Sequence, residues 1–228
     1  MKKAVHIVFI GNSITQGVGL QKAPPAYAID ELRRLKKGTE ISWSNQGVSG
    51  FTTVNFLPET NTVFPKVEAA AREAKKDALL IFSIKLGTND SAIEGPLGAP
   101  VSPEQYYKNM KTISDRLLAD FPGCRIMYQH PVWYSENTYN GSKYLAEGLA
   151  RLQSYFPEID RLIAEYAGSH PDRVFQGDTK AFAYFKKHHE TDFQHEEGQR
   201  GIFYLHPNEK GAKALGIFLA KAIARIVR

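Results

Sequence analysis

The feature that most limits this chain is residues 78–86, Ala-Leu-Leu-Ile-Phe-Ser-Ile-Lys-Leu, apolar everywhere except Ser83 and Lys85. Strict alternation would mark a strand with one wet face. A near-continuous run marks a strand covered on both faces, as in the parallel sheets of α/β proteins. Residues 4–10 are β-branched and aromatic and end at Gly11, while 41–45, 125–129 and 173–176 are shorter strand-like runs. Helical stretches lie between them. Residues 26–36 follow Pro24-Pro25 and place Ile29, Leu32 and Leu35 at helical spacing; 67–76 is Ala-rich. Ser102-Pro103 supplies an N-cap and a first-turn proline, with Gln105 in the capping-box position, and Pro122-Gly123 ends that helix. Residues 144–166 predict a helix broken or kinked at Pro157, and 209–227 a closing amphipathic helix.

This alternation predicts one domain over residues 1–228, a three-layer α/β fold with a mostly parallel sheet. The polar, His-rich stretch 177–201 reads as an irregular insertion beside the last strand. Ligands of such sheets bind outside the carboxyl ends of the strands, so chemistry is sought there.

Composition narrows the options without choosing among them. At 43% hydrophobic and 23% charged, the 228 residues have ordinary globular usage. No apolar run approaches the roughly 20 residues of a membrane helix. Lys+Arg 29 against Asp+Glu 24 gives +5, but the basic residues are scattered, which argues against a nucleic-acid groove. Cys124 is the single cysteine, so an intrachain disulfide is excluded. Met1-Lys2-Lys3 runs straight into a strand-like segment, so the expected location is cytoplasmic, or periplasmic or secreted if an export signal was removed. No cofactor or metal is expected. His188, His189 and His195 lack helical ligand spacing and read as loop residues. Lys85, inside an apolar strand, is expected to pack its stem and carry its amine to the sheet edge. His130-Pro131 directly follows the fourth strand and could line the crevice.

Four polar segments fall at strand ends or before the last helix: Gly11-Asn12-Ser13, Asn45-Gln46-Gly47, Gly87-Thr88-Asn89-Asp90 and His206-Pro207. Ser13 comes two residues past a strand-ending glycine, where a hydroxyl can face the crevice near a helix N-terminus. The order Gly11, Gly17, Gly19 does not give a dinucleotide fingerprint.

In order and separation these four segments resemble the signature blocks of the SGNH hydrolases, the GDSL-type esterase and lipase superfamily, with Asn12 where that name has Asp. The resemblance implies a flavodoxin-like fold with a five-stranded sheet and carboxylic-ester hydrolysis. It implies Ser13 as nucleophile, His206 as base, and an oxyanion hole from the Ser13 and Gly47 backbone N–H groups and the Asn89 amide. Gly47 suits that role because no side chain blocks the approach of substrate. The family's acid stands three residues before the histidine; here that position is Phe203. Either a backbone carbonyl orients His206, leaving a Ser–His dyad, or a carboxylate comes from the insertion, with Asp178, Asp192 and Glu197 as candidates.

For the substrate, Trp133, Tyr134 and Tyr139 stand among Asn137, Asn140 and Ser142 in the loop after the fourth strand. Aromatic faces among amides and hydroxyls suit a sugar ring, although such a loop could equally pack on itself. The expectation is a short-acyl esterase acting on a small-molecule or carbohydrate ester, with O-acetyl groups on sugars foremost. A lysophospholipase or thioesterase, or a non-catalytic carbohydrate-binding module, are the alternatives.

Overall fold

The computed structural model describes residues 3–227. In chain order its elements are β1 (Ala4–Gly11), α1 (Ser13–Gln16), α2 (Pro24–Leu35), β2 (Glu40–Gly47), α3 (Phe64–Arg72), β3 (Leu79–Lys85), α4 (Pro103–Asp120), β4 (Arg125–Tyr128), α5 (Leu145–Ser169), β5 (Val174–Gln176), α6 (Ala181–Lys187), α7 (His189–Asp192), β6 (Glu196–Gly198), β7 (Gly201–Phe203) and α8 (Glu209–Ala224). Strands β1 to β5 form one sheet in the order β2-β1-β3-β4-β5, with every pairing parallel. The expected α/β fold with a five-stranded parallel sheet is the one observed.

Right-handed crossovers fix which helix covers which face. The step from β1 to β2 runs one way and those from β2 to β3, β4 and β5 run the other, so α2 lies opposite α3, α4 and α5. Helix α8 returns to lie on α2. Contact there is close: a Cβ added at Gly216 would stand 2.5 Å from Tyr27 Cβ and 2.8 Å from Ala28 N. Leu215, Leu219 and Ile223 are buried on α8, each contributing about 1.5–3 kcal/mol of burial.

Local signals are mostly honoured. The Ser102 side chain accepts from Gln105 N at 3.2 Å, but the Gln105 amide turns to Asn109 Oδ1 and leaves the reciprocal half of the capping box unmade. Helix α5 runs through Pro157 as one element. The segment expected to be an irregular insertion is instead ordered as α6, α7 and the antiparallel β6–β7 hairpin. Among the described residues no helix is long and apolar enough to cross a membrane.

Lys85 corrects the sequence reading. It ends β3, between β1 and β4, and is 5% exposed; its amine does not reach an edge. Burial lowers its pKa to about 7, with the nearby Asp178 carboxylate opposing the shift.

Candidate active site

The carboxyl end of β1 turns directly into α1. Asn12 caps that short helix by accepting from Ile14 N at 3.1 Å, which puts Ser13 in its first turn. The hydroxyl of Ser13 lies 2.8 Å from His206 Nε2. Among the described residues no backbone partner takes the Ser13 N–H, as expected of a first-turn amide.

His206 sits between β7 and α8 and is held at three points. Its carbonyl accepts from Gln194 N at 2.8 Å. Its backbone N–H donates to Glu196 Oε2 at 3.0 Å, and its ring Nδ1 lies 2.8 Å from Glu196 Oε1. Nδ1–H donates to the carboxylate in this arrangement, which leaves Nε2 as the acceptor for the Ser13 hydroxyl. Glu196 is thus the carboxylate that the sequence reading missed, and neither a backbone-carbonyl dyad nor the three named acids describe the site. Phe203, at the expected acid position, is buried in the core. Glu197 pairs with the exposed Ile202 on the hairpin's outer face, while Glu196 pairs with Phe203 on the inner face. Asp178 caps α6 by accepting from Lys180 N and Ala181 N. Asp192 is committed to Tyr184 Oη, Thr191 Oγ1 and Lys210 Nζ. Strand parity was the available signal, since only one of two adjacent glutamates can face inward.

The glycine block is built differently from expectation. Asn45 Nδ2 donates to Thr15 O and its Oδ1 accepts from Gly47 N, both at 2.9 Å, so the Gly47 N–H is engaged rather than free. Gly47 is required for a different closeness from the one expected. A Cβ there would stand 2.3 Å from Gln16 N and 2.8 Å from Thr15 C, inside the backbone of α1.

Asn89 is buried, with Nδ2 donating to Phe51 O and Oδ1 accepting from Tyr144 Oη, both at 2.8 Å. Among the described residues the second amide N–H has no partner. Beside it Asp90 is fully buried. Its Oδ1 accepts from the Thr53 backbone at 2.8 Å and from the Thr53 hydroxyl, and burial raises its pKa to about 6. That anchor ties residues 51–56 to the asparagine block. A groove of about 330 Å³ opens next to it, lined by Ser49, Phe51, Asn55, Leu97 and Ser142 and by no ionisable side chain.

The aromatic loop after β4 turns two of its three rings into the core and leaves Tyr139 half-buried. Trp133 and Tyr134 are buried, and Tyr134 Oη lies 2.9 Å from Ser91 Oγ. Asn137 Nδ2 donates to the Arg200 and Ile202 carbonyls, and the Tyr139 carbonyl accepts from Gln199 N, so the loop's middle secures the hairpin that carries Glu196. His130 is likewise packed, stacked on Phe156 at 4.3 Å between ring centroids. His189 and His195 place ring nitrogens on the Lys186 and Glu190 carbonyls.

Residues 9–214 match the model of the GDSL-like Lipase/Acylhydrolase family. A search of the curated proteins finds no match. Among solved structures, an acetyl xylan esterase from Geobacillus stearothermophilus aligns at 18% identity with a TM-score of 0.62, covering 99% of this chain and 96% of that one. A carbohydrate acetylesterase from Sinorhizobium meliloti aligns at 16% identity and 0.62, covering 97% and 99%. A gut microbial diltiazem-metabolizing enzyme aligns at 20% identity and 0.62 over 97% of this chain, which spans only 47% of that longer protein. At such identities the likeness is one of fold. With the family match covering most of the sequence and Ser13 in contact with His206, the chain belongs to the GDSL-like lipase/acylhydrolase family, the SGNH ester hydrolases.

Proposed function

We propose that the protein is a serine esterase that hydrolyses short-acyl carboxylic esters, with O-acetyl groups on carbohydrates as the foremost substrate class. The observation that carries this is the Glu196–His206–Ser13 series, with 2.8 Å at each contact. Ser13 Oγ adds to the acyl carbonyl carbon as its proton passes to His206 Nε2. Collapse of the tetrahedral intermediate breaks the bond to the alcohol oxygen, which takes that proton and leaves an acyl-Ser13. Water then repeats the sequence: its proton goes to Nε2, its oxygen to the carbonyl carbon, and Ser13 recovers its proton as the carboxylic acid departs. Glu196 holds the ring in the required tautomer and stabilises the imidazolium formed in each half.

Charge developing on the carbonyl oxygen is met by the Ser13 N–H and the free Asn89 N–H.

The substrate class is supported by the adjoining groove rather than by the aromatic loop. Its lining pairs the apolar Phe51 and Leu97 with the hydroxyls of Ser49 and Ser142, and none of the lining side chains is charged. Two neighbours in fold are described as an acetyl xylan esterase and a carbohydrate acetylesterase. Hydrolysis of p-nitrophenyl acetate, butyrate and octanoate by wild type and folded Ser13→Ala tests the proposal. Acetate-preferring turnover that vanishes in Ser13→Ala is expected. An octanoate preference would point to a lysophospholipase or thioesterase, and absence of Ser13-dependent turnover on all three would overturn the esterase assignment.

A further inference from the structure

We infer that Tyr144 is a positioning residue of the oxyanion site, fixing the Asn89 amide so that one N–H faces the reacting carbonyl. The inference rests on the esterase proposal and names a further residue within that site.

An asparagine amide has two ends of nearly equal shape and opposite function. Turned one way it presents N–H groups to an oxyanion; turned the other way it presents an oxygen that would repel one. Two partners select the first orientation. The Phe51 carbonyl can only accept, so Nδ2–H donates to it, and the Tyr144 phenol then donates to Oδ1. Burial pushes the Tyr144 pKa above its ordinary value, so the phenol keeps the proton it must donate. A donor on the amide oxygen also polarises the group and strengthens its remaining N–H.

The phenol is itself held in place. Tyr144 is 3% exposed and packs edge-on against Tyr134, 5.4 Å between ring centroids. Tyr134 Oη contacts Ser91 Oγ, which donates to Thr88 O at 2.7 Å, so the two tyrosines secure neighbouring positions of one block. Tyr144 N and Leu145 N both donate to Thr138 O at 3.2 Å. Leu145 has φ 56°, a left-handed conformation that a non-glycine residue keeps only where its surroundings impose it. The strain falls on the residue directly after the phenol.

The test is a double-mutant cycle on p-nitrophenyl acetate. Tyr144→Phe keeps the ring and removes the donor. Its kcat is expected to fall about 10-fold with KM within about twofold, the size of one hydrogen bond felt in the transition state. In an Asn89→Ala background the same change should cost less than about twofold, because there is no amide left to orient. Tyr128→Phe, which removes a buried phenol bonded to Ser114 on α4, is the control and should leave kcat within about twofold. If Tyr144→Phe does not fold, Tyr134→Phe, which loosens the seat of the Tyr144 ring, should give a smaller loss that also disappears in Asn89→Ala. Equal losses in both backgrounds, or full kcat in Tyr144→Phe with turnover still dependent on Ser13, would overturn the positioning role alone. No Ser13-dependent turnover in wild type would overturn the esterase assignment and the positioning role together.

Discussion

Glu196 holds His206 with both carboxylate oxygens, one on ring Nδ1 at 2.8 Å and one on the backbone N–H at 3.0 Å, from a hairpin ten residues earlier in the chain. The grip fixes ring and main chain together. A single-contact acid leaves the main chain free to shift.

Loss of that grip should therefore be catalytic. Glu196→Ala is expected to lower kcat by at least about 10²-fold in a folded protein, as removal of an orienting acid does elsewhere. Glu197→Ala, on the outer face of the same hairpin, should stay within about twofold. Steady-state kinetics on both variants checks this; an unimpaired Glu196→Ala would remove the carboxylate from the mechanism.

Asn89→Ala removes the proposed oxyanion donor, with an expected kcat loss of about 10²–10³-fold. It also strands the buried Tyr144 hydroxyl and Phe51 carbonyl, so a stability loss of about 1–3 kcal/mol should accompany it. Kinetics and thermal melts on one preparation separate the two effects. A melt shift without a kcat loss would exclude Asn89 from the oxyanion site.

Gly47→Ala tests the packing of the glycine block against α1. The added Cβ would meet Gln16 N at 2.3 Å, so α1 must shift and carry Ser13 with it. Overpacking of this kind costs about 1–3 kcal/mol, and a displaced nucleophile costs rate as well. Wild-type melting and kcat together would show that α1 yields without consequence.

Lys85 makes stability depend on pH in a stated direction. Its folded pKa of about 7 lies below the unfolded value, so between the two the unfolded chain binds more protons and stability rises with pH. Lys85→Met removes that dependence. The gain should be on the order of 4 kcal/mol at pH 7, shrinking toward zero by about pH 10. Chemical denaturation at pH 7, 8.5 and 10 reads the trend, and a pH-independent difference would show that the amine is hydrated.

Much of this was legible in the chain before any coordinates. Residues 78–86 declared a doubly covered strand because both of its faces are indeed buried, and Ser13 and His206, marked at a strand end and ahead of the last helix, meet in space. The acid was harder. Glu196 and Glu197 are chemically identical neighbours, and which one faces inward depends on the pairing of a three-residue strand whose existence the polar composition of the segment conceals. The aromatic loop misled for a related reason: tyrosine carries both an apolar ring and a hydroxyl, so surface and core roles look the same until burial is known. Lys85 ran against the ordinary tendency of long cationic side chains to reach water, which describes exposed stems and not a residue enclosed between two neighbouring strands.

Ser13 and His206 are separated by 193 positions, and the helix that follows the histidine lies across the one that follows the serine. Closing so long a loop carries an entropic cost that the contacts it brings together must repay. Turnover therefore reports on assembly as well as chemistry. A chain whose strands have formed but whose last helix has not docked would look native by circular dichroism and yet be silent towards substrate. Recovery of activity after dilution from denaturant would then time the closure of the loop between Ser13 and His206, a clock carried by the two residues proposed for catalysis.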